Sequence, residues 1–214
     1  MKFRLLLVMF VSFFLTTNAM AEQYYGIEFP QGAASFADEV IYYQPTINVH
    51  ETYSNPSHAL GIPDFNGNYY DGSTYVSLGD QGVLIVKFTD NALTTSSNNN
   101  MDLWIFEIGP AVEPTAVAIS KNGTDWINVG QTEGSTRGVD IDAYLGSGVV
   151  LGDKYSYVKL TDLLPHQSDS PYEGADIDAV GAISSTSPAV PIPGAIWLLG
   201  SGLLSLIALR KKVD

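Results

Sequence analysis

The periodicity of the middle of this chain constrains its fold more than any other feature. Between residues 22 and 183 no apolar pattern sustains the 3.6-residue period of a helix. Short runs of β-branched and aromatic residues recur instead, broken by Gly, Asn, Asp and Pro. Val83 to Phe88 (VLIVKF) is one such run. Asp102 to Ile108 (DLWIFEI) is apolar on both faces, which suits a central strand covered from both sides. Thr115 to Ser120 (TAVAIS) and Trp126 to Val129 (WINV) flank Lys121 to Asp125. Asn122-Gly123 in that link tolerates positive φ and predicts a tight turn. Tyr155 to Leu160 (YSYVKL) puts Ser156, Val158 and Leu160 on one face, and Tyr155, Tyr157 and Lys159 on the other. Ile177 to Ile183 (IDAVGAI) predicts a final strand. The spacing predicts an all-β fold, a single β-sandwich or jelly roll over 22–183. A domain of this size buries roughly 70% of its unfolded surface, so it needs no covalent staple.

Charge is segregated along the chain. The 214 residues carry a net charge of −13 and no cysteine. Of the 23 acids 22 fall within 22–190, with five of the ten Lys and Arg, so that stretch stands at −17. An acidic surface excludes nucleic acid as a partner, because phosphate needs a basic footprint. The absence of cysteine excludes disulfide scaffolds, thiolate zinc sites and cysteine nucleophiles.

The two ends are apolar and basic. Lys2 and Arg4 precede the apolar run Leu5 to Leu15, and Ala19-Met20-Ala21 forms an A-x-A cleavage site. Residues 1–21 therefore read as a secretory signal, with the mature chain starting at Glu22. The alternative is an uncleaved anchor, for which about 11 apolar residues are too few. Ser184 to Pro193 (SSTSPAVPIP) is a Pro- and Ser-rich linker. Gly194 to Leu209 is an uncharged apolar run of about 24 Å as a helix, closed by Arg210-Lys211-Lys212. With snorkelling basic residues this predicts a transmembrane helix over 194–214, with its basic end in the cytoplasm.

The motif Val190-Pro191-Ile192-Pro193, then Trp197 within WLLGSGLL, then Arg210, Lys211 and Lys212 resembles the PEP-CTERM sorting tail of Gram-negative exported proteins. The resemblance implies an exosortase-type enzyme in the inner membrane that recognises the tail, cleaves near the prolines and passes the protein to the cell surface or extracellular matrix. Ile192 stands where the commonest form of the motif has Glu. A simple C-terminal membrane anchor is the alternative.

An ordered set of segments in the middle carries a second resemblance. ALGIPD (59–64), VSLGDQG (76–82), DLWIFE (102–107), SKNGTDW (120–126), YVKLTD (157–162) and GADIDAV (174–180) together resemble exported cell-surface domains with a discoidin-like, galactose-binding-type jelly roll. That implies a binding role, with carbohydrate or surface ligands and often structural calcium. In such folds the calcium ligands commonly come from the first strands and the last strand, which favours Asp176 and Asp178.

The repeated Asp-Ile-Asp triplet, Asp140-Ile141-Asp142 and Asp176-Ile177-Asp178, is the most unusual cluster of acids. In a strand, residues i and i+2 point to the same side. Each triplet would then project two repelling carboxylates, which a hard cation relieves. Calcium takes roughly 6–8 oxygens at about 2.3–2.6 Å. The four aspartates form a calcium site if the triplets are neighbours, and are solvated or turn residues if they are not. Asp64, Asp102 and Glu107 are further candidates. Tyr69 and Tyr70, in a loop-like YYDG, are candidates for stacking on sugar. Trp104 and Trp126 read as core.

No catalytic set emerges. There is no G-x-S-x-G, and His50, His58 and His166 lack ligand spacing. Asp102 and Glu107 imitate a glycosidase couple only in composition. The sequence therefore predicts a non-enzymatic exported protein of the cell envelope or matrix, binding extracellular polysaccharide, calcium or both. A secreted hydrolase or accessory module on polysaccharide, and a permanently anchored envelope protein, are the alternatives.

Overall fold

A computed structural model describes residues 20–46, 49–109, 113–132, 136–163 and 174–186. Its strands are β1 (Glu22–Tyr24), β2 (Ile27–Phe29), β3 (Glu39–Gln44), β4 (Val76–Ser77), β5 (Val83–Lys87), β6 (Leu103–Glu107), β7 (Thr115–Ser120), β8 (Ile127–Thr132), β9 (Arg137–Val139), β10 (Tyr157–Asp162) and β11 (Asp176–Ala182). They form a five-stranded sheet in the order β3-β5-β10-β7-β8, a four-stranded sheet in the order β4-β11-β6-β9, and the small β1-β2 hairpin. Each of these pairings is antiparallel. The described residues are mostly β, with a few short 3-10 turns.

The two larger sheets share one core. Leu84, Val86, Val117, Ile119, Val158 and Leu160 come from the five-stranded sheet. Val76, Leu103, Ile105, Ile177 and Val180 come from the four-stranded one. The alternation expected in YSYVKL holds for β10, with Val158 and Leu160 fully buried and Tyr157 and Lys159 half-buried.

The four-stranded sheet is covered on its other face too. Phe29 and Phe36 pack at 4.6 Å between ring centroids and lie 6.0 and 5.9 Å from Phe106 of β6. All seven residues of β11 are buried. This double cover is why DLWIFEI and IDAVGAI are apolar on both faces, and β6 is an interior strand as expected. Gly181 of β11 makes the close approach possible. A Cβ there would sit 2.7 Å from Phe29 Cε1 and 2.8 Å from Phe36 Cε1.

Asn122-Gly123 forms the expected turn between β7 and β8. Asn122 Oδ1 accepts from the Thr124 and Asp125 amides, and Gly123 has φ +78°.

Three expectations are corrected. Tyr155 is fully buried and does not share the half-buried face of Tyr157 and Lys159, because β10 starts only at Tyr157 and Tyr155 instead bridges Leu93 across the sheet margin. Trp126 is half-buried rather than core, with Lys159 Nζ 4.7 Å from its ring centroid. Asp140-Ile141-Asp142 is not a strand: Ile141–Tyr144 is a 3-10 turn capped by the Asp140 carboxylate.

The chain expected to be linker is ordered at its start. The Ala92 and Thr94 amides donate to the Thr186 and Ser184 carbonyls, so the hydrogen-bonded domain continues to Thr186. Among the described residues no helix is long and apolar enough to cross a membrane. The signal segment apart from Met20 and Ala21, and the sorting motif of Val190, Pro191, Pro193, Trp197, Arg210, Lys211 and Lys212, lie outside the described residues. So does His166.

Candidate functional site

The two Asp-Ile-Asp triplets sit at opposite ends of the four-stranded sheet. At one end Leu103 of β6 pairs with Val139 and with Ala182. Asp140 and Asp142 follow Val139 there. At the other end Glu107 pairs with Ile177, between Asp176 and Asp178. Four residues of strand separate these pairings, about 13 Å. The four aspartates therefore do not converge on one void. Asp102 and Glu107 go to different ends as well, about 17 Å apart at strand rise, too far for a glycosidase couple.

The Glu107 end is a cleft of about 280 Å³. Tyr25, Phe65, Tyr69 and Phe106 line it, with Glu107 and Asp178 among the groups between them. Phe65 and Tyr69 pack at 4.8 Å, and Tyr25 leans on Phe106 at 5.9 Å. The Tyr25 hydroxyl donates to the Phe65 carbonyl at 3.3 Å, tying the two rims together. Tyr25 is held at φ +51° beside Gly26 at +79°, the turn of the β1-β2 hairpin.

Loop and strand meet around Asp178. Its carboxyl accepts from the Asp64 amide at 3.1 Å and the Phe65 amide at 3.4 Å. The β-bulge between Ile177 and Ala179 breaks the alternation at this residue. Asp176 accordingly has a separate partner, the Ser77 hydroxyl of β4. The segments ALGIPD, VSLGDQG, DLWIFE and GADIDAV thus meet at one end of the fold.

Burial pushes these acids up. Glu107 is pushed to about 8, with the Glu113 charge adding to burial and the Gly109 amide opposing it. Asp178 is pushed to about 7, opposed by the Asp64 and Phe65 amides. Burial also holds Asp176 well above the ordinary carboxylate range, against its bond from Ser77. One Glu107 oxygen accepts from the Gly109 amide at 2.9 Å, while Oε2 is buried without a partner. The cleft thus holds carboxyls that keep a substantial neutral fraction near pH 7, able to donate as well as accept.

Of the two tyrosines singled out by sequence, Tyr69 lines the cleft. Tyr70 is 74% exposed and is not among the lining residues. Sequence reasoning missed Tyr25 and Phe65 as site residues. The only signal for Tyr25 was the Tyr-Gly pair of a hairpin turn. Two other hollows, of about 400 and 430 Å³, contain no carboxylate.

At the Asp102 end three carboxylates gather. One oxygen each of Asp102, Asp140 and Asp142 lies within 4.8 Å of the others. Asp102 had been a lesser candidate, because it stands outside the repeated triplet.

No family model matches the chain, and no curated protein matches it. Solved structures match in shape. One is the C-terminal domain of a chitobiase from Bacteroides fragilis, at 12% identity and a TM-score of 0.42, with 75% of this chain and 98% of that one covered. A likeness of that size decides neither ancestry nor function.

Proposed function

We propose that this chain is an exported, non-enzymatic surface or matrix protein whose β domain binds neutral extracellular polysaccharide in the Tyr25–Tyr69 cleft. The carrying observation is the pairing of exposed aromatic rings with buried carboxyls that burial pushes toward their neutral form, in one concave site. Aromatic faces suit the apolar faces of sugar rings, and neutral acids both donate to and accept from hydroxyls. No lysine or arginine is among the residues lining the cleft, so uronate-rich polymers are disfavoured.

The reading extends to the fold. Strands β4, β6, β9 and β11 share one sheet, while β5, β7, β8 and β10 share the other with β3 added at the edge. We read that alternation as a jelly roll.

Binding isotherms of the full chain with neutral and uronic polysaccharides test the proposal. Saturable binding of a neutral polymer, weakened by Tyr69→Ala and Glu107→Gln, is expected. Absence of binding to either polymer class, or binding indifferent to both substitutions, overturns it. A hydrolase reading has one observation in its favour, two carboxyls with raised pKa in one cleft. Release of reducing ends that Glu107→Gln abolishes would replace binding with catalysis.

Export and sorting rest on the sequence of the two ends. The mature protein is expected to begin at Glu22 and to have lost Lys211 and Lys212. Mass spectrometry of surface protein that retains both lysines would favour the permanent anchor instead.

A further inference from the structure

We propose that Asp102, Asp140 and Asp142 form a calcium site that pins the 96–97 loop and the 3-10 turn after β9 to the start of β6. The site lies at the end of the four-stranded sheet away from the aromatic cleft. It uses neither Asp176 nor Asp178.

The carboxylates divide their oxygens in the same way. Asp102 Oδ2 accepts from the Ile141 amide at 3.0 Å. Asp140 Oδ1 accepts from the Asp142 amide at 2.9 Å. Asp142 Oδ2 accepts from the Ser96 amide at 2.9 Å, the Ser96 hydroxyl at 2.8 Å and the Ser97 amide at 3.0 Å. In each case one oxygen fixes backbone, that of the 3-10 turn for Asp102 and Asp140 and that of the 96–97 loop for Asp142. The second oxygens of Asp102 and Asp142 are buried with no hydrogen-bond partner.

That orphaning is the independent sign of a ligand. Asp102 is fully buried, and its Oδ1 accepts no hydrogen bond. Burial pushes the Asp102 carboxyl above its ordinary range, against the Ser184 and Ser96 hydroxyls and the Ile141 amide, and no hydrogen bond reaches Oδ1. A buried carboxylate oxygen left unpaired is destabilising. A cation facing the three carboxylates removes the cost at Asp102 and Asp142 and the repulsion among all three together.

Geometry selects the ion. Two ligands of one calcium are at most about 5 Å apart, twice the metal–oxygen distance, and the three oxygens lie within 4.8 Å. Magnesium demands a tighter octahedron at about 2.0–2.1 Å. Three carboxylates supply three oxygens, and water and backbone carbonyls complete a calcium shell more readily than an all-protein magnesium cage. The cluster contains no cysteine or histidine, which disfavours zinc.

The test is calcium chloride titrated into the full chain after chelator treatment, followed by calorimetry and by melting temperature, with magnesium chloride alongside. Saturable calcium binding tighter than millimolar, a rise in melting temperature and little response to magnesium are expected. Asp140→Asn and Asp142→Asn should weaken calcium binding about tenfold or more. Asp176→Asn and Asp178→Asn should leave it within about twofold. Asp140 lies at the cluster's half-buried edge, so Asp140→Asn remains readable if Asp102→Asn fails to fold. No saturable heat and no shift in melting temperature overturns the proposal. Equal weakening by Asp178→Asn overturns the assignment to this end of the sheet.

Discussion

The same three-residue word, Asp-Ile-Asp, is written twice in this chain and folds into two different objects. Around Asp140 and Asp142 the backbone turns, and its amides point back at the carboxylates. Around Asp176 and Asp178 the backbone is strand, buried along its whole length, and burial pushes both carboxyls above the ordinary carboxylate range. The first arrangement gathers three carboxylate oxygens around one point. The second suppresses charge and sets it beside aromatic rings. A carboxylate's role here follows from its environment, since the local sequence is identical.

The largest effect that distinguishes the two ends comes from Phe106. It is 1% exposed, packs against Phe29 and Phe36, and forms part of the cleft. Phe106→Ala should cost about 3–5 kcal/mol in chemical denaturation, as other buried Phe truncations do. It should also abolish polysaccharide binding while leaving calcium affinity unchanged. Loss of both together would mean that the ends are not independent.

Acidity should separate the ends next. An acid whose neutral form the fold favours stabilises the fold while it is protonated. For Glu107 that contribution is complete below about 4.5 and is lost as pH rises through about 8. For Asp178 it is lost between about 3.8 and about 7. The calcium-free protein should therefore lose stability from pH 5 to pH 8, on the order of a few kcal/mol. Glu107→Gln should flatten the upper part of that slope. Stability that rises across this range would show that these carboxyls are ionised in the fold. Calcium-dependent stabilisation runs the other way, because carboxylate ligands bind metal only when deprotonated.

Much of the architecture was legible because burial writes periodicity. The runs in β5, β6, β7, β10 and β11 are long and apolar, and each is a strand. β1, β2, β4 and β9 span two or three residues, too few to show a period. β3 is an edge strand with exposed Ile41 and Tyr42, so its pattern lacks a clean apolar face. The sites were legible only as residue types. Acids at 140, 142, 176 and 178 attracted notice, but their partition depends on pairing β6 with both β9 and β11. No local rule contains that register. Asp102 joins the first cluster through the same long-range pairing.

A moderate effect falls on the rim of the cleft. Tyr69 is 37% exposed and its ring rests on Phe65, so truncation removes a sugar platform without opening the core. Tyr69→Ala should weaken polysaccharide binding about tenfold, some 1.4 kcal/mol. Tyr70→Ala should change affinity by less than about twofold, since Tyr70 is not among the residues lining the cleft. Equal losses would move the binding surface out of the cleft and onto the exposed loop.

The smallest effect separates two duties of one side chain. Asp140 caps the 3-10 turn through Oδ1 and faces the other two carboxylates. Asparagine keeps a capping oxygen, whereas alanine does not. In calcium-free buffer Asp140→Ala should cost about 1 kcal/mol and Asp140→Asn close to nothing. With calcium present both variants should lose part of the metal-dependent gain. If Asp140→Asn kept that gain in full, Asp140 would serve only as a cap. The calcium would then have to be held by Asp102 and Asp142 without it, and the difference between the two ends would reduce to backbone hydrogen bonding.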